Sequence, residues 1–173
     1  SFALADVLSQ ALKGCPVSFD VVRVRVGQSV ATAHGLAVPS IDADAIETPG
    51  VVLVAGIGAK TPEDLGLALQ HEDVKAAGVL LRKWHDEGAV IAAACTGTFV
   101  VAESGILDGR ASTTSWWLGP YFRSCYPNVR LADEHMVVES EGVVTAGAVL
   151  AHFDLALWLI RQYSPILASQ TAR

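Results

Sequence analysis

Ala89-Val90-Ile91-Ala92-Ala93-Ala94-Cys95-Thr96-Gly97-Thr98-Phe99-Val100-Val101 is the stretch on which the fold turns. Residues 89–94 are apolar without interruption, the pattern of a strand buried on both faces, and such strands belong to parallel sheets. Residues 99–104 read as a short helix closed by Gly105. A buried strand that ends in small residues and bends at once into a helix lifts one side chain out of the carboxyl edge of the sheet. This is the nucleophile-elbow arrangement, and Ala93, Ala94 and Gly97 leave the room around Cys95 that so tight a bend requires. The same residues also suit plain tight packing, because Cys is among the most buried residue types. Composition and spacing leave both readings of Cys95 open.

Upstream, residues 51–55 form a second unbroken apolar run, read as the other central strand and closed by Gly56-Ile57-Gly58. Ligands of open sheets bind at the carboxyl ends of strands, and backbone N–H groups at that turn can face the thiol and cradle a carbonyl oxygen. Thr61-Pro62-Glu63-Asp64 is a helix start: a capping Thr, Pro in the first turn and acids at the positive end of the dipole. Val74, Ala77, Leu81 and Trp84 share one face of the longer helix that follows, which Gly88 ends. Residues 17–26 alternate apolar and polar and read as a strand; residues 31–38 read as a shorter, edge-like one. Leu4, Val7, Leu8, Ala11 and Leu12 make one face of an opening helix.

Downstream come an extended stretch at 111–114, a short helix over 116–125 broken at Gly119-Pro120, and a strand near 129–131. Residues 136–139 and 143–145 flank Ser140-Glu141-Gly142, a hairpin signal. Residues 148–160 are apolar on nearly every side and predict a buried helix, covered in part by a partner subunit. Strands alternating with helices give an α/β, doubly wound, mostly parallel sheet with helices on both faces. At 173 residues this is one domain, 1–173.

The net charge of −6 argues against a surface that grips a phosphate backbone. Cys15, Cys95 and Cys125 form no C-x-x-C pair, so neither a zinc site nor a disulfide framework is expected. His34, His71, His85, His135 and His152 lack metal-ligand spacing, and no metal or cofactor is expected. His152, on the apolar last helix, reads as an interior histidine. No apolar run reaches the ~18 residues of a membrane span, and the beginning lacks a basic-then-apolar layout. A cytoplasmic location is expected.

Three stretches carry a family likeness: Ala94-Cys95-Thr96-Gly97, then residues 102–110 (AESGILDGR), then Ser112-Thr113-Thr114-Ser115-Trp116. Together they resemble the A-C-x-G…L-A-x-A-G-L-L-D-G-R…T-T-H-W pattern of the ThiJ/PfpI (class I glutamine amidotransferase-like) superfamily. The likeness is greatest to the branch found as the N-terminal domain of AraC-type transcription regulators. Val144-Thr145-Ala146-Gly147 followed by Asp154-Leu155-Ala156-Leu157 is similar to that branch's T-A-G-G…D-L-A-L stretch.

The resemblance implies a flavodoxin-like sheet and a homodimer. In the superfamily's enzymes the elbow Cys works with the His of T-T-H-W and with an acid at the end of a first strand. Here Ser115 holds the His position, and the acid's position falls before Ser1. A hydroxyl cannot serve as an imidazole base. The resemblance therefore implies a ligand-sensing, dimerising and non-catalytic domain. It would bind a small molecule at Ile57, Gly58, Cys95, Thr96, Ser115 and Trp116. DNA would be reached through a helix-turn-helix domain absent from this chain, which would be trimmed from a longer regulator. The alternative is a cysteine-dependent hydrolase or hydratase, with Cys95 as nucleophile and the Gly58 and Thr96 N–H groups on the oxyanion.

Overall fold

The computed structural model describes residues 2–11, 17–27, 30, 35–147 and 150–173. A four-stranded sheet runs in the order β3 (Val51–Val54), β4 (Val90–Ala94), β8 (Val143–Ala146), β7 (Val137–Ser140). β3 and β4 are parallel with Val51 opposite Val90; β4 and β8 are parallel with Ile91 opposite Val143. β7 returns antiparallel beside β8 through the predicted hairpin. Two parallel pairs stand apart from this sheet: β1 (Val24–Arg25) with β2 (Ile41–Asp42), and β5 (Ala111–Ser112) with β6 (Arg130–Leu131).

Alternation along the strands divides the core into two layers. Ile91, Ala93 and Val143 face α2 (Pro62–Leu69), α3 (Glu72–Asp86), α4 (Gly97–Glu103) and α5 (Gly119–Cys125), with Leu65, Leu81, Trp84, Phe99 and Phe122 buried among them. Ala92, Val144 and Ala146 face the other way, against Leu155 and Leu159 of α6 (Ala151–Tyr163). α1 (Phe2–Ala11) and α7 (Pro165–Thr171) extend that second layer, joined to α6 through Ala5, Ile160, Leu167 and Ala168. This is the flavodoxin-like α/β architecture expected. Burying one large apolar side chain such as Phe99 contributes roughly 1.5–3 kcal/mol, so the first layer supplies much of the stability.

Local signals hold where they were strongest. The Thr61 hydroxyl accepts the Asp64 N–H at 3.1 Å, and Pro62 opens α2. Leu81 and Trp84 are buried on the inner face of α3.

Four expectations are corrected. Only Val24–Arg25 of the alternating segment 17–26 is strand, and Val21 and Val22 are exposed. The run at 51–55 is the edge of the four-stranded sheet, not a strand covered on both sides, and Leu53 is 53% exposed. Gly119-Pro120 begins α5 after a 3-10 turn at Trp116–Leu118 instead of interrupting one helix, because Pro fits a first turn. His152, expected in the interior, is exposed beside Phe153 on the face of the last long helix turned away from the sheet. Cys15 and His34, and the extended stretch expected through 31–34, lie outside the described residues.

Candidate functional site

Cys95 stands between β4 and α4 with φ +56°, a left-handed backbone that L-residues adopt at a cost of roughly 1–2 kcal/mol. The bend survives because neighbours hold it from several sides. The Cys95 N–H donates to the Ala146 carbonyl at 2.9 Å, extending the β4–β8 ladder by one bond. Its own carbonyl accepts from the Thr98 N–H at 3.2 Å and from the Thr114 hydroxyl at 2.9 Å. Gly97 allows the close fit: a Cβ there would meet the Val54 carbonyl oxygen at 2.6 Å and that of Ala55 at 2.9 Å. The helix start is thus pressed directly onto the end of β3.

Residues 112–115 bring the second half of the site. All four are buried, and they are held by hydroxyls on two sides. The Thr113 N–H donates to Thr145 Oγ1 at 2.8 Å, and Thr98 Oγ1 donates to the Thr113 carbonyl at 3.1 Å. Gly147 lies so close that an added Cβ would meet both Thr113 Oγ1 and the Thr114 carbonyl at 3.0 Å. This clamp sets Ser115 Oγ 2.9 Å from Cys95 Sγ. Among the described residues no imidazole or carboxylate hydrogen-bonds the thiol, and no cluster of three or more His, Cys, Asp or Glu side chains is placed to hold a metal ion.

The other candidate residues divide. Thr96 is buried, and its hydroxyl accepts the Ile57 N–H at 3.0 Å. Ile57 therefore reaches the site, yet its N–H is already engaged. Gly58 is exposed with φ +73°, at the lip of the turn. Trp116 is 67% exposed and packs edge-on against Trp117, with ring centroids 5.9 Å apart. It lies beside Ser115 and is open to solvent. The supporting threonines, Thr98, Thr114 and Thr145, were not anticipated; the one sign of them was the run of small hydroxyl residues at 112–115.

Behind the bend, Phe99 stacks edge-on with Phe122 at 4.9 Å and lies 6.0 Å from the Tyr126 ring. The Tyr126 hydroxyl donates to Glu103, and burial first, then that carboxylate, pushes the phenol far above its ordinary range. The Tyr121 phenol is also raised, chiefly by its hydrogen bond with Cys125. The Phe99 ring contacts and the Tyr126–Glu103 bond tie α4 to α5 and the residue that follows it.

A parallel sheet whose central strand turns through a left-handed cysteine into a helix defines an α/β domain with a thiol at its carboxyl edge. Residues 2–162 match the DJ-1/PfpI family, and the chain belongs to it. Over 93 residues it is 36% identical to the HTH-type transcriptional regulator CdhR of Pseudomonas aeruginosa, covering 53% of this chain and 27% of that protein. Over 145 residues it is 28% identical to the HTH-type transcriptional regulator GlxA of Rhizobium meliloti, covering 83% of this chain and 42% of that protein. The chain thus spans less than half the length of these curated relatives. In three dimensions it is similar to the crystal structure of an AraC family transcriptional regulator from Pseudomonas putida. That match has a TM-score of 0.72 and 18% identity and covers 98% of this chain and 89% of the other. No described helix is long and apolar enough to cross a membrane.

Proposed function

We propose that this chain is the sensing domain of an AraC-type transcriptional regulator, which binds a small molecule at the carboxyl edge of its sheet without turning it over. One observation carries the non-catalytic reading: the group 2.9 Å from Cys95 Sγ is the Ser115 hydroxyl. A serine neither takes a proton from a thiol near neutral pH nor forms the cationic half of a thiolate–imidazolium pair. The site keeps a polar floor of thiol and hydroxyls, an exposed aromatic wall at Trp116 and a backbone turn at Ile57 and Gly58. That suits holding a small polar ligand. The names of the curated relatives support the regulatory role.

In this reading the domain pairs with a second copy, contacts DNA only through a separate helix-turn-helix domain, and works in the cytoplasm without metal or cofactor. Exposed Trp116, Trp117, Leu150 and Phe153 offer apolar surface for the pairing.

Thermal shift against a panel of nitrogenous metabolites and amides tests the proposal. A ligand at one hundred times its Kd stabilises the fold by about 2.7 kcal/mol, so a specific binder raises Tm by several degrees, and Ser115→Trp, which fills the floor of the site, abolishes the rise. A flat response across the panel removes the reading. The left-handed backbone and partial exposure of Cys95 favour the second reading, a Cys95-dependent hydrolase or hydratase. Its test is turnover of amides and small carbonyl compounds; activity that vanishes in Cys95→Ala would replace the sensor with an enzyme.

A further inference from the structure

We propose that a cavity at the amino-terminal end of the sheet, under the last turns of α6, is a second small-molecule site that takes a primary amine with a small apolar body. The proposal does not depend on the sensing role of the thiol edge.

The cavity lies where three strands begin. Val51 opens β3, Val90 opens β4 and Val143 opens β8, and all three line it together with Trp158 and Leu159 of α6. Cys95 follows the other end of β4, so the length of that strand, roughly 16 Å, separates the cavity from the thiol. The cavity volume is about 230 Å³. An apolar cavity of roughly 150 Å³ is enough to hold benzene, so one aromatic ring or a short alkyl chain fits here with room for a polar head.

Three observations make that head a cation. The first is Glu139. In the antiparallel ladder it stands opposite Val144, which has no exposed surface and faces α6. Residues directly opposite share a face, so Glu139 is an acid on the otherwise apolar side of the sheet, and it lines the cavity. Among the described residues no cationic side chain forms an ion pair with it, and none of the residues lining the cavity is cationic. The second is the aromatic wall of Trp158 and Tyr163. Ring faces of this kind attract a cation, and the Tyr163 ring is held edge-on by Phe19 with centroids 5.7 Å apart. The third is the end of α6. Gln162 and Tyr163 lie in its last turn, where the helix dipole favours positive charge.

The hydrogen-bonding groups narrow the class further. Gln162 Nε2 donates to the Trp158 carbonyl at 3.3 Å, which leaves its Oε1 to accept. A primary ammonium has three N–H donors; the Glu139 carboxylate, Gln162 Oε1 and the Tyr163 hydroxyl oxygen are the acceptors on the cavity wall. An anionic ligand would meet Glu139 as a like charge, and a neutral apolar one would gain nothing from it.

Two-dimensional NMR of the 173-residue chain tests this with benzylamine, 2-phenylethylamine and hexylamine, each compared with its alcohol. At least one amine should move the Trp158 indole N–H and the Glu139 and Gly142 amides, while the Cys95 and Thr96 amides stay in place. Trp158→Phe assigns the indole signal. The matching alcohol should bind at least ~10-fold more weakly, and the amine should lose at least ~10-fold in affinity for Glu139→Gln. Glu139 is exposed, so that variant should keep the fold, and the comparison with the alcohols needs no variant. Three results would overturn the proposal: no shift with any of the three amines, shifts at Cys95 and Thr96 in place of those at the cavity, or equal affinity for the alcohol or in Glu139→Gln.

Discussion

β3 and β4 are neighbouring parallel strands of similar apolar character, and they end in very different states. In β4, Ile91, Ala92 and Ala93 have no exposed surface; in β3, Leu53 is 53% exposed and its companions are half-buried. The difference lies in what flanks them. β4 has a strand on each side and helices on both faces, whereas among the described residues β3 has one strand neighbour. Hydrophobicity makes a strand capable of burial, but neighbours supplied by distant parts of the chain decide whether it is buried.

The largest effect expected from this contrast comes from the layer behind β4. Phe99→Ala should cost about 3–5 kcal/mol, the range for deleting a fully buried ring, whereas Leu53→Ala on the open edge should change stability by less than about 0.5 kcal/mol. Urea melts of the two variants measure both. Equal losses would mean that the β3 edge is covered in solution.

A smaller effect tests the junction of the two strands. Gly97→Ala places a methyl group 2.6 Å from the Val54 carbonyl oxygen. Since backbone must shift to admit it, a loss of about 1–3 kcal/mol is expected, as for other overpacked interiors. Loss of the Thr96 hydroxyl bond to the Ile57 N–H would accompany it, visible as a shift of the Ile57 amide resonance.

The smallest effect depends on pH. Burial and Glu103 hold the folded Tyr126 phenol above its ordinary range, while the unfolded chain releases that proton near pH ~10. Above that pH the folded state binds more protons than the unfolded state, so stability falls as pH rises. Tyr126→Phe should flatten this fall, measured as the slope of unfolding free energy between pH 9 and 11. At neutral pH the same change should cost no more than about 1 kcal/mol, since the freed Glu103 is solvated.

Much of the architecture was legible because its signals are local. The Thr61 cap, the Ser140-Glu141-Gly142 hairpin and the strand–bend–helix at Cys95 each depend on a few consecutive residues, and each stands as read. Ser115 stands twenty positions after Cys95 in the sequence, and in space its hydroxyl lies 2.9 Å from the thiol.

The remainder depended on parts of the chain far apart in sequence. Residues 17–26 alternate well enough for a strand, but a ladder needs a partner, and only two residues find one. The Ile57 N–H was available by sequence and is engaged in space, because Thr96 reaches it across 39 positions. His152 reads as interior from its apolar helix but is exposed, because only one face of α6 meets the sheet. Periodicity and turn chemistry are written in neighbouring residues. Which edge stays open, and which donors remain free, is decided only when distant segments meet.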